Sequence, residues 1–182
     1  SGSYTKASIS GYVNNRTEKT VGIYADGTGV DFNIFNTGYL AAGAPGSGSL
    51  AANRQNAVLK SGDGALGIIV KNGATGNFQS GKIITGNTTG TATSVAVVSD
   101  GSGIMKFGNG GSSLSSSAQP NPELTLGVGA VGLYAQGGNT GTIFPIERLD
   151  VKQGTNSIFA YLSNAAGSTS NFQNVNFGTA AS

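Results

Sequence analysis

Thr20-Val21-Gly22-Ile23-Tyr24-Ala25-Asp26-Gly27 is a repeating unit, because versions of it start again at Ala65, Ser94, Ala130 and Ser157. Aligned as columns, the five copies open on a small residue (Thr20, Ala65, Ser94, Ala130, Ser157) and continue on an aliphatic one (Val21, Leu66, Val95, Val131, Ile158). The fourth column is Ile23, Ile68, Val97, Leu133 and Ala160, and the fifth is Tyr24, Ile69, Val98, Tyr134 and Tyr161. A later column reads Gly27, Asn72, Gly101, Gly137 and Asn164. Glycine and asparagine tolerate a left-handed backbone, so each copy predicts a strand that ends in a fixed bend.

The distances between copies set the architecture. From Val21 the steps to Leu66, Val95, Val131 and Ile158 are 45, 29, 36 and 27 residues. The two longer steps contain the Gly-, Ala- and Ser-rich stretches Ala41–Ala57 and Gly108–Pro122, which read as loop excursions from a shorter repeat holding about three strands. One such unit cannot bury its apolar side alone, whereas stacked units form parallel sheets around a continuous interior. Residues 1–182 therefore predict a single all-β unit, a parallel β-helix (β-solenoid) of about five coils. Strands this close leave no room for crossover helices, and a Greek-key sandwich gives no reason for columns to recur at a coil-length period. Outside the copies, one strand is expected at Ala7–Val13 and one strip at Phe172–Phe177.

In a solenoid, equivalent residues of successive coils lie about 4.8 Å apart. The column after each strand reads Asp26, Lys71, Asp100, Gln136 and Ser163. Charges alternating in sign along such a column form a favourable ladder, where like charges would repel.

Composition agrees. With 31 Gly, 17 Asn and only 10% charged residues in 182, the chain is poor in helix formers and rich in turn formers, yet long enough for a sizeable core. A net charge of +2 from scattered residues makes no footprint for nucleic acid or an anionic membrane. Cysteine, histidine and tryptophan are absent, which removes disulfides, thiolate metal sites and imidazole chemistry. The expectation is a protein without cofactor or metal. Nothing reads as a signal peptide or an 18-residue apolar span, so export and membrane anchoring are expected to belong to parts of a longer parent.

The phrases in Thr20–Gly27, Ala65–Gly73, Ala130–Gly138 and Phe35–Gly38 resemble the passenger repeats of large autotransporter (type V secreted) adhesins of Gram-negative bacteria. That resemblance implies a right-handed parallel β-helix, export through the outer membrane to the cell surface, and projected binding loops. The partners it implies are a host or bacterial surface protein or glycan.

The chemistry-bearing residues are few. The acids Glu18, Asp26, Asp31, Asp63, Asp100, Glu123, Glu147 and Asp150 spread over different columns, and the closest pair along the chain, Glu147 and Asp150, is interrupted by Arg148. They read as turn charges and ladders rather than the converging carboxylates of a glycan-cleaving groove. The chain holds no calcium-binding nonapeptide and no P-loop Lys-Ser/Thr pair. Partner contacts are therefore the better expectation. Simple alternation puts Val21, Ile23 and Ala25 on one face and Gly22 and Tyr24 on the other. If the aliphatic face is interior, Tyr24, Ile69, Val98, Tyr134 and Tyr161 form an external stripe of the kind that marks contacts. The alternatives are that an excursion covers this column or that the tyrosine side is the interior one. In the first excursion, Arg54, Gln55 and Asn56 are the clustered contact-making groups. These features predict a non-enzymatic adhesin or stalk segment that can self-associate through the ends of its solenoid. The alternative is a polysaccharide-binding or -cleaving β-helix such as a phage tailspike segment.

Overall fold

Short runs of aliphatic and β-branched residues, each closed by glycine, asparagine or another turn former, favour brief strands. The computed structural model describes residues 5–9, 12–15, 18–34, 57–108, 120–137, 141–163 and 168–180, and among them every regular element is a strand. The first coil is β1 (Thr5–Ile9), β2 (Tyr12–Asn15) and β3 (Val21–Asp26), and the second β4 (Val30–Ile34), β5 (Val58–Ser61) and β6 (Leu66–Lys71). The third coil is β7 (Thr75–Phe78), β8 (Lys82–Ile84) and β9 (Val95–Asp100); the fourth is β10 (Ile104–Phe107), β11 (Glu123–Thr125) and β12 (Val131–Gln136). The fifth is β13 (Gly141–Ile146), β14 (Leu149–Gln153) and β15 (Ile158–Leu162), and β16 (Ser168–Phe172) and β17 (Val175–Thr179) lie on a sixth level.

Each coil gives one strand to each of three sheets. The first sheet runs β1-β4-β7-β10-β13-β16, the second β2-β5-β8-β11-β14-β17, and the third β3-β6-β9-β12-β15. Every pairing is parallel, so the fold is a parallel β-helix of about five coils. The repeat copies all fall in the third sheet, with Val21 opposite Leu66, Leu66 opposite Val95, Val95 opposite Val131 and Val131 opposite Ile158. The 41–57 and 108–122 stretches both leave at the passage from the first sheet to the second, after β4 and after β10. Apart from Ala57, Gly108 and residues 120–122, they lie outside the described residues.

The interior is built from columns. Ile34, Phe78, Phe107 and Ile146 come from the first sheet, Leu59, Ile83, Leu124 and Val151 from the second, and Ile68, Val97 and Leu133 from the third; all are buried. Phe78 meets Phe107 edge to face at 5.9 Å, and Phe107 meets Phe144 at 6.5 Å. Such ring pairs add stability beyond their burial, about 0.5–1.5 kcal/mol each.

The bends after the third-sheet strands are left-handed, at Gly27 (φ 107°), Asn72 (51°), Gly101 (61°) and Gly137 (82°); Asn164 lies outside the described residues. A second left-handed column precedes these strands, at Lys19 (61°), Gly64 (65°), Gly129 (66°) and Asn156 (57°). Beside it, Gly62, Gly86, Gly127 and Gly154 are stacked so tightly that a Cβ on Gly127 would lie 2.3 Å from the Gly86 oxygen. In the third coil, residues 87–93 form a threonine-rich loop at this corner. The Thr89 hydroxyl donates to Glu18 Oε1 at 2.6 Å and the Thr91 hydroxyl donates to the same oxygen. These two bonds, Thr89's first, hold the Glu18 carboxyl below its usual range.

Three expectations need correction. Ala7–Val13 is two strands, β1 and β2, and Phe172–Phe177 spans the end of β16 and the start of β17, separated by Asn174 at φ 47°. More consequential is the face assignment. The ladder pairs residues on either side of Gly67 but not Gly67 itself, and an added Cβ there would lie 2.4 Å from the Ala96 oxygen and 3.2 Å from the interior side chain of Leu59. Two successive residues, Gly67 and Ile68, therefore face inward. The Val21 column is thereby turned outward beside the Tyr24 column, where simple alternation placed it with Ile23 and Ala25.

Candidate functional site

The outward turn of the Val21 column gives the third sheet two adjacent apolar columns on its outer surface. Val95, Val98 and Val131 form a cluster separate from the solenoid interior, with Leu66, Ile69 and Tyr134 packed against it. Val98 is only 7% exposed although it points outward, because larger side chains on neighbouring coils flank it. Tyr24, by contrast, is 58% exposed and Tyr161 49%. Together these residues line a groove of about 620 Å³ running across the coils. Among the described residues no element covers it, and there the stripe faces outward and is wider than its five-residue column; the excursions that could cover it lie outside the described residues.

Tyr24, Ile69, Val98, Tyr134 and Tyr161 do form one column, each in register with the next. The Tyr134 and Tyr161 rings stack with centroids 5.5 Å apart and planes 9° from parallel. Arg54, Gln55 and Asn56 lie outside the described residues.

One long side of the groove is the predicted charge ladder. Asp26, Lys71, Asp100 and Gln136 are register partners in turn. Lys71 Nζ lies 3.4 Å from Asp100 Oδ2, while Asp26 accepts the Tyr24 hydroxyl at 3.1 Å and Asn72 Nδ2 at 2.8 Å. The bond and charge of Asp100, with Tyr24 and Asp26 behind them, raise the Lys71 ammonium above its ordinary value, so it stays protonated. The rim thus alternates in sign, with two carboxylates against one ammonium.

Asp63, Glu123 and Asp150 serve as staples between coils. Asp63 accepts the Asn87 backbone N–H at 2.7 Å. Register brings Glu123 beside Asp150, a closeness hidden by their separation in sequence. Glu123 lies 3.3 Å from Lys82 and 2.9 Å from Lys152, and Asp150 accepts Asn121 at 3.0 Å and Asn176 at 2.9 Å. Burial pushes the Glu123 carboxyl up, but bonds from Lys152 and Thr125 and the charge of Lys82 outweigh it and leave it below its usual range. Among the described residues no three metal-ligating side chains converge.

The Leu66, Val95 and Val131 contribution to the groove was missed by alternation, although the third column of the repeat held the signal. It reads Gly22, Gly67, Ala96, Gly132 and Phe159. Small residues in four of five copies mark a place where the backbone of one coil approaches the next, which is where strict alternation fails. Comparison with known proteins finds no matching family model, no similar curated protein and no similar solved structure.

Proposed function

We propose that the chain is a non-enzymatic binding segment of a bacterial cell-surface adhesin, a stretch of an autotransporter-like passenger exported through the outer membrane and anchored by its parent. In this reading the coils are a rigid stalk and the outer face of the third sheet is the contact surface toward a host or neighbouring cell. The observation that carries it is the apolar groove between partly exposed tyrosines, since contiguous apolar surface of this kind marks interaction sites. Glu123 and Asp150 support the same reading, being held in a ladder by Lys82, Lys152, Asn121 and Asn176.

The test is binding of the labelled protein to cultured epithelial cells and to bacterial cells, comparing the native chain with Val98→Lys. A charge in the middle of the groove is expected to reduce retention about tenfold, the size of loss seen when a central interface contact is removed. Circular dichroism and the urea midpoint report whether the coils remain intact. Undiminished binding by a folded Val98→Lys protein removes this face from the adhesin reading.

A further inference from the structure

The groove has a definite length. Its aromatic column is interrupted: Tyr24 stands at one end, Ile69 and Val98 occupy the next two coils, and Tyr134 backed by Tyr161 closes the other end. Three strand spacings of about 4.8 Å put about 14 Å between Tyr24 and Tyr134. Since Tyr161 stacks on one face of the Tyr134 ring, the opposite face is turned toward Val98 and the notch. An aliphatic floor between two aromatic walls suits a ligand with apolar C–H faces.

The edge of the notch sets a second requirement. Lys71 offsets Asp100, while Asp26 keeps its charge as it accepts from Tyr24 and Asn72, so the rim presents hydrogen-bonding groups with one net negative charge, at its Tyr24 end. A polyanion would meet the two aspartates and a polycation would meet Lys71. The backbone adds a third. β6, β9 and β12 each have strand neighbours on both sides, so their N–H and C=O groups are spent within the sheet. A peptide cannot add here as a further strand, the mode by which extended chains gain most of their hydrogen bonds.

We propose that this notch binds a neutral glycan lying along the coil axis, its C–H faces on the Ile69 and Val98 floor, its end sugars against Tyr24 and Tyr134, and its hydroxyl edges on the Lys71, Asp100 and Gln136 side. An extended chain of 1→4-linked hexopyranose rings advances per unit by nearly one strand spacing, so successive coils offer equivalent floor positions to successive sugars. The inference rests on the reading of this face as the contact surface and specifies its ligand class.

The experiment is titration calorimetry of the full chain with neutral cello-, chito- and malto-oligosaccharides of increasing length, at low and high salt. Affinity is expected to rise with length until about three units span the notch, and to be insensitive to salt. The double variant Ile69→Tyr/Val98→Tyr fills the notch with the residue that its column already carries at Tyr24, Tyr134 and Tyr161. It is expected to keep the native urea midpoint and bind at least about tenfold more weakly, and Tyr134→Ala is expected to weaken binding as well. Failure of all three neutral series, undiminished binding by the filled-notch variant, or binding confined to charged glycans and lost at high salt would overturn the proposal. If the protein adheres to cells through this face, and protease treatment of the cells abolishes adhesion while periodate oxidation of their glycans leaves it intact, the partner is a protein: the adhesin reading stands and the glycan inference falls.

Discussion

The middle coils and the last level of the solenoid use the same columns and obtain different burial from them. In the second column of the repeat, Val95 and Val131 are 6% and 7% exposed, whereas Ile158, one coil further on, is 45% exposed. On the inner side, Phe107 and Leu124 are fully buried, while Phe172 and Phe177, further along the same columns, are 40% and 58% exposed. The residue types are similar, so the difference comes from the coil above. Burial in this fold is supplied by neighbouring levels, and stability is therefore close to a sum of coil-to-coil interfaces. Phe159 shows the same rule from the other side: it occupies a column that is glycine or alanine wherever another strand presses on it, and packs edge-on against Phe172 and Phe177 at 5.3 and 5.2 Å.

The sharpest way to break this comparison is to remove a ring from each region. Phe107→Ala deletes a buried ring held between Phe78 and Phe144, and is expected to cost about 3–5 kcal/mol. Phe177→Ala deletes an exposed ring with one aromatic partner, and about 1 kcal/mol is expected. Urea unfolding followed by circular dichroism measures both. Comparable losses would mean that the last level is as well packed as the middle.

A smaller effect comes from the glycine stack. Gly127→Ala puts a methyl carbon 2.3 Å from a backbone oxygen of the coil below, so the strands must separate, and a loss of about 1–3 kcal/mol is expected. Gly178→Ala meets no atom within 4 Å and is expected to be neutral or to stabilise by up to about 1 kcal/mol through the unfolded chain. A Gly127→Ala protein as stable as the native chain would show that coil spacing at this corner relaxes freely.

What was legible in the sequence was whatever recurs with the coil. The five third-sheet strands, their register, the Asp26-Lys71-Asp100-Gln136 ladder and the left-handed bends at Gly27, Asn72, Gly101 and Gly137 all follow from columns readable without coordinates. The turn column at Lys19, Gly64, Gly129 and Asn156 was harder to see, because lysine rarely marks a positive φ and the third coil replaces that corner with the 87–93 loop. The outer face was half legible. Period-two alternation identified the tyrosine column, but two successive inward residues at Gly67 and Ile68 shift everything before them by one face, and only the run of small residues in that column hinted at it. Glu123 and Asp150 could be paired only once the register was known, since side-chain neighbours in a solenoid belong to different coils.

The smallest effect tests how the middle of the second sheet holds charge where the last level does not. The column that carries Lys82, Glu123 and Asp150 ends on Asn176, which does not titrate. Two opposed influences act on Glu123: burial favours its neutral form, while Lys152, Thr125 and Lys82 favour the carboxylate, and the balance lies with the carboxylate. A carboxyl whose folded pKa is lowered contributes stability that is fully present above its unfolded value, about 4.5, and is lost as pH falls through the folded value. Glu123→Gln removes that contribution. The native chain is therefore expected to exceed the variant by a constant amount above about pH 4.5, with the gap narrowing below it. Both lysine side chains are a little under half exposed, so solvent screening limits the gap to on the order of 1 kcal/mol or less. Urea midpoints of the two proteins across this range give the sign directly: a gap that widens as the pH falls would mean that burial, not the lysines, governs Glu123, and that the ladder costs the middle coils stability at neutral pH.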